Sequence, residues 1–115
     1  MKLFISQGHG GTDPGACGSG LQEADLTKKI GDKVKKLVEE RGVKTIIIPR
    51  YPLTKRIGWE NNRATPNDYL ISIHVNAGGG TGIEIWGYSG LPLMGYYKSI
   101  LNKTVKETGL VNRGV

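Results

Sequence analysis

The sequence predicts an α/β fold: one domain with a mixed, mainly parallel central sheet and helices on both faces. Two observations carry this. Short apolar runs alternate along the chain with stretches of helical periodicity, the pattern of linked β and α units. The runs are near-continuous in apolar residues, as expected of strands covered on both faces. The length of 115 residues suits a single core. A chain of this size buries roughly two-thirds of its unfolded surface and needs no covalent staple.

The elements follow in order. Residues 2–6 read as a buried strand, and residues 7–21 as a glycine-rich loop. Residues 22–41 read as a helix, closed by Gly42 as a left-handed cap. Its apolar positions Leu26, Ile30, Val34, Leu37 and Val38 form one stripe, predicted to face the core. Residues 43–49 read as a second strand stopped by Pro49, and residues 54–64 as a shorter helix. Residues 69–74 read as a third strand and residues 82–86 as a fourth. Residues 92–108 read as the last helix, with Pro92 near its start and Gly109 beyond its end, the usual asymmetry of helix termini.

Composition excludes several classes. Apolar content of 37% and charged content of 23% fit a soluble globular domain. The longest apolar stretches are about five residues, far short of the roughly 20 that span a bilayer, so no stable membrane insertion is expected. The start Met1-Lys2-Leu3-Phe4-Ile5-Ser6 stops too early for a signal peptide and reads as a strand. Cys17 is the one cysteine, which excludes an internal disulfide. The net charge of +6 favours anionic partners: nucleic acid, membranes or acidic wall polymers. The lysines are spread and aromatic residues make up 7%, so no stacking platform for nucleic acid is expected. The first glycine-rich loop contains no phosphate-binding GxxxxGK[ST] motif.

The two histidines, His9 and His74, both stand at or just past strand ends. Ligand sites of parallel sheets form beyond the carboxyl ends of the strands, so the two converge at one edge. The loop after the first strand is fifteen residues long, where 2–6 is usual. Glu23 falls on the apolar stripe of the first helix, in its first turn. A carboxylate there is costly to bury without a partner, although the helix N-terminus favours its charge. Two histidines and one carboxylate make a zinc site of the hydrolase kind, with a fourth position left for water.

These residues resemble a known family. The motif GHGGTDPGA at 8–16, an inward Glu23, SIHVNA at 72–77 and NRGV at 112–115 are similar to zinc-dependent N-acetylmuramoyl-L-alanine amidases. Arg56 and Asn61, Asp68, and Gly82-Ile83-Glu84 match between them, so the resemblance runs over the whole chain in order. It implies His9, Glu23 and His74 as ligands of one Zn2+. It implies hydrolysis of the amide joining the glycan lactyl group to L-alanine in peptidoglycan. Asn76 is a candidate to hold the substrate amide or orient a ligand; turning the chain after the strand is its structural alternative.

Two positions depart from the family pattern. Ser6-Gln7 stands where the family has Asp-Pro. The family's general-base glutamate lies in a later strand, beyond NRGV. Glu84 is a conceivable substitute, and its alternation with Ile83 and Ile85 also fits a solvent-facing residue. Residues 1–115 are therefore expected to be the N-terminal part of an amidase catalytic domain, with further strands and a helix expected beyond 115. An uncovered sheet edge would then invite self-association. The alternative is a non-catalytic peptidoglycan-binding relative or an inactive truncated form. With no signal peptide expected, the protein is predicted to be made in the cytoplasm and to act at the bacterial wall. A phage endolysin or an autolysin exported by a non-classical route fits that combination.

Overall fold

The computed structural model describes residues 1–76, 80–90 and 92–115. Ala77, the last residue of the 72–77 motif, and Gly78 and Gly79 of the second glycine cluster lie outside the described residues. The chain divides into two units, Met1–Ala77 and Gly78–Val115.

The first unit contains β1 (Leu3–Gln7), β2 (Cys17–Gly18), β3 (Leu21–Gln22), α1 (Glu23–Glu39), β4 (Thr45–Ile47), α2 (Leu53–Asn61) and β5 (Tyr69–Ile73). The main sheet has the order β4-β1-β5. Both pairings are parallel, with Leu3 opposite Thr45 on one side and Tyr69 on the other. The chain thus goes from β1 through α1 to β4, then crosses back through α2 to β5. Among the described residues this sheet is wholly parallel. Antiparallel pairing is confined to β2 with β3 and to a bridge between Gly10 and Asp13.

As the central strand, β1 is buried from Phe4 to Gln7. Successive side chains alternate between faces. Gln7 points to α1, where its Nε2 donates to the Lys28 carbonyl at 3.1 Å and to Asp32 Oδ1 at 2.8 Å. Ser6, on the other face, accepts from Arg56 Nη1 of α2 at 3.3 Å. Helices therefore lie on both faces, as predicted.

Three expectations about the first unit are corrected. The loop at 7–21 is not wholly irregular: β2 and β3 form a small hairpin. Its turn residues Ser19 and Gly20 have φ of 51° and 75°, the left-handed pair of a type I′ turn. The predicted core stripe of α1 is rotated. Its buried residues are Glu23, Ala24, Thr27 and Gly31, whereas Ile30 and Leu37 are exposed. The reason is close packing on β1, which selects small residues over long apolar ones. A Cβ at Gly31 would stand 2.7 Å from the Gln7 side chain. Finally, β5 is not covered on both faces. Among the described residues it is an edge strand, and Tyr69 and Leu70 are about half exposed.

Asp68 fastens the start of β5 to the start of β1. Its Oδ1 accepts the Lys2 backbone N–H at 2.7 Å, and its Oδ2 accepts the Thr65 N–H and hydroxyl, both at 2.9 Å. The Thr65 amide and hydroxyl and the Lys2 amide outweigh burial and hold its pKa at about 2.

The second unit contains α3 (Met94–Thr108), close to the predicted helix and ended by Gly109 in the left-handed region. The predicted strand at 82–86 is not a strand. Ile83 forms one parallel bridge with Asn112. The Ile83 N–H donates to the Val111 carbonyl at 2.8 Å and the Ile85 N–H to that of Gly114 at 3.1 Å. Gly82, at φ 125°, breaks the extended backbone at the start of this stretch. No helix among the described residues is long and apolar enough to cross a membrane.

Two outcomes are expected. Asp68→Asn lowers the urea midpoint at neutral pH. The stability due to the ionised carboxylate is fully present above the unfolded value near 3.8 and is lost as pH falls through about 2, since its folded pKa is depressed. The wild-type advantage over Asp68→Asn should therefore shrink between pH 4 and 2; an advantage constant across that window contradicts the role given to its charge. Gly31→Ala gains helix propensity but crowds Gln7, for a net loss of about 1 kcal/mol. Adding Gln7→Ala should make the Gly31→Ala step less costly, measured as a double-mutant cycle in urea.

Candidate metal centre

The parallel pairing of β1 and β5 extends to Gln7 opposite Ile73, and the Gly8 N–H donates to the Ile73 carbonyl at 2.9 Å. His74 directly follows Ile73 and His9 follows Gln7 by two residues, so both leave the sheet at the same edge. Their ring centroids lie 5.3 Å apart, edge to face. Glu23 opens α1, which packs on the same sheet, and its carboxylate returns to that edge. Donor atoms of His9, Glu23 and His74 all lie within 4.8 Å of one another. The three predicted ligands are thus brought together.

Glu23 is 5% exposed. Its Oε2 accepts the Ala16 N–H at 3.0 Å and its Oε1 the Val75 N–H at 2.8 Å. Burial pushes its pKa up, but those two amides, with His9 and His74, prevail and hold it below the ordinary value. The charged carboxylate is the form the site is built around.

The His9 imidazole is held from behind. Its Nδ1 lies 2.8 Å from Asp13 Oδ2. The ionised carboxylate is an acceptor, so Nδ1 carries the hydrogen and, in the neutral ring, Nε2 offers its lone pair to the cluster. The His9 hydrogen bond, then the Gly15 amide, lowers the Asp13 pKa. A carboxylate behind a ligating histidine fixes its tautomer and orientation. His9 Nε2 stands 3.2 Å from Glu23 Oε2, and His74 Nδ1 stands 3.2 Å from Glu23 Oε1. Lone pairs this close to a buried carboxylate call for a proton or a cation between them. Two imidazole nitrogens and a carboxylate oxygen also match the donor chemistry of zinc, so the residues fit a metal ion.

The backbone beneath the site is constrained. His9 has φ of 61°, a left-handed conformation that L residues other than glycine adopt at a cost. Its carbonyl accepts from two guanidinium groups, Arg50 Nε at 3.0 Å and Arg56 Nη2 at 3.1 Å. Arg50 Nη2 also donates to the carbonyls of Gly8 at 3.1 Å and Ala24 at 2.7 Å. Thr27 adds a hydroxyl bond to the Gly8 carbonyl at 2.7 Å. Arg56, 7% exposed, donates further to the carbonyls of Gln7 at 2.9 Å and Tyr51 at 3.1 Å. Gly15 is required by contact as well as by its φ of 67°: a Cβ there would lie 2.6 Å from the His9 ring and 2.8 Å from Glu23 Oε2.

Among the described residues the candidate metal-ligating cluster consists of His9, Glu23 and His74. Asn76 is exposed, two residues past His74. Glu84, in the second unit, pairs with Arg113 at 3.5 Å. Asn61 is the exposed last residue of α2, and Cys17 is exposed and free. Arg50 and Thr27 were not among the predicted site residues. A cation directly after the Ile48-Pro49 strand end, and a polar residue four positions from Glu23, were the available signals.

The profile of the N-acetylmuramoyl-L-alanine amidase family matches residues 3–115. The sporulation-specific N-acetylmuramoyl-L-alanine amidase of Bacillus subtilis is 38% identical over 123 residues, covering 99% of this chain and 47% of the relative. The endolysin of Bacillus phage SPP1 is 32% identical over 125 residues, covering 97% of this chain and 45% of the relative. The chain thus spans about half the length of the curated relatives it matches. Among solved structures, the N-acetylmuramoyl-L-alanine amidase AmiC2 of Nostoc punctiforme superposes with a TM-score of 0.82 at 28% identity, covering 99% of this chain and 67% of that one. A parallel sheet that delivers His9 and His74 to one edge, and a family profile that spans both strands and everything between them, lead to the same conclusion: this chain belongs to the N-acetylmuramoyl-L-alanine amidase family.

Proposed function

We propose that this chain supplies the zinc-binding core of an amidase that hydrolyses the lactyl–L-alanine amide bond of peptidoglycan. The convergence of His9, Glu23 and His74 within 4.8 Å carries this reading. Zinc, when bound, supplies Lewis-acid activation of a water molecule and of the amide carbonyl. The residues of the chain do the rest. Asp13 keeps the hydrogen of His9 on Nδ1 and its Nε2 toward the cluster. The Ala16 and Val75 amides keep Glu23 charged and fix both of its oxygens. Asn76, next to the His74 arm, is the candidate to hold the substrate amide.

Family membership supports peptidoglycan as the substrate and the bacterial wall as the place of action. A phage endolysin and a sporulation-specific amidase among the relatives support either release at lysis or export without a classical signal. The outer edge of β5, with Tyr69 and Leu70 exposed, is the surface through which copies of the chain would associate. A sedimentation coefficient that rises with concentration would support that contact.

One observation favours a second reading, muropeptide binding without cleavage. The carboxylate of Glu84, this chain's candidate general base, is engaged by Arg113. Incubation with purified muropeptides separates the two. New L-alanine amino termini, abolished by chelator, support hydrolysis. Retention of intact muropeptide without new termini supports binding alone. If Glu84 is the base, Glu84→Gln abolishes cleavage; unchanged cleavage removes it from the mechanism.

The metal reading is tested directly. Purified protein should bind one zinc ion per chain. His9→Ala, Glu23→Ala and His74→Ala should each weaken binding by more than about 100-fold, beyond the effect of losing a residue that only orients a ligand. Metal-free protein that takes up no zinc, with the three variants indistinguishable from it, contradicts the reading.

A further inference from the structure

We infer that Arg50 is a positioning residue for the metal centre, a guanidinium strut that sets the spacing between the His9 and Glu23 arms. This rests on the metal reading above. Its Nε bonds the His9 carbonyl at 3.0 Å, and one Nη bonds the Gly8 carbonyl at 3.1 Å and the Ala24 carbonyl at 2.7 Å. Gly8 and His9 carry one ligand arm, and Ala24 directly follows the ligand at 23. One rigid, planar group therefore joins the backbones of two ligand segments that are fourteen residues apart in sequence.

The chain is shaped to admit that group. Gly10 has φ of 117°, and a Cβ there would stand 2.3 Å from Arg50 Nε and 2.7 Å from its Cζ. Any side chain at position 10 would occupy the volume of the guanidinium. The strut also meets a local need. His9 is held at φ 61°, and its carbonyl is turned to the two guanidiniums rather than into a regular ladder. Arg56 supports the same carbonyl, but its other bonds run to Ser6, Gln7 and Tyr51, none of which carries a ligand. Of the two arginines, only Arg50 reaches the Glu23 arm.

Lysine keeps the charge but not the fork, and a single ammonium cannot reproduce the planar arrangement of donors that spans these carbonyls. Arg50→Lys should therefore weaken zinc binding by about 10- to 100-fold, the range for residues that orient ligands. Affinity is measured by competition with a chromophoric chelator. The urea midpoint of the zinc-free protein should fall little by comparison, and the His9 ring signals in its NMR spectrum should shift. Arg41→Lys, an exposed change at the far end of α1, should leave affinity unchanged. Gly10→Ala should reproduce the Arg50→Lys loss by displacing the guanidinium.

Wild-type zinc affinity in Arg50→Lys overturns the inference. So does a loss of affinity fully matched by loss of stability in the zinc-free protein, which would mark Arg50 as structural only. A wild-type chain that binds no zinc overturns the metal reading itself, and this inference with it; that result is distinct from failure of Arg50 alone.

Discussion

The candidate site depends on the parallel hydrogen bonding of β5 onto β1. That ladder, closed by the Gly8 amide on the Ile73 carbonyl, fixes which residues leave the sheet together. A slip of one residue would turn the side chains of β5 to the opposite faces and carry His74 away from His9. At the other end of the strands, Asp68 ties the first residues of both together. The register is thus fixed at both ends, although among the described residues β5 has a neighbour on one side only.

The second constraint is the buried carboxylate. A charge at the position of Glu23 is unfavourable unless each oxygen is matched. Two backbone amides from separate loops, at Ala16 and Val75, meet that demand. The same bonds pull the β2–β3 hairpin and the segment after β5 toward the start of α1. A polar requirement therefore organises two loops that apolar burial alone would leave unspecified. The small residues Ala24, Thr27 and Gly31 let α1 lie close enough for Glu23 to reach the strand ends.

Much of this was legible in the sequence, because strand ends and helix starts leave local signals. His9 and His74 follow apolar runs, and alternating elements imply a shared sheet edge. Glu23 was correctly read as inward, but for the wrong reason. The stripe through Leu26, Ile30 and Leu37 suggested a core face, whereas the packed face runs through small residues that carry little hydrophobic signal. The hairpin was marked only by Ser19-Gly20, a short turn signal inside a long glycine-rich loop. The exposure of β5 was not legible, since apolar content does not say whether a strand lies at the centre or the edge. Arg50 was hidden for another reason. Its partners are backbone carbonyls from distant segments, and carbonyls are the same at every residue.

The division of the site among three segments has a further consequence. Residues 9, 23 and 74 meet only after β5 has joined the sheet, so an unfolded chain offers a metal no preformed cluster. An ion bound by the three would favour the folded population by mass action, and the preference would grow with its free concentration. Starved of the ion, the same chain would open more often and lie more exposed to proteases. The availability of the metal would then govern how long the protein survives as well as whether it can work.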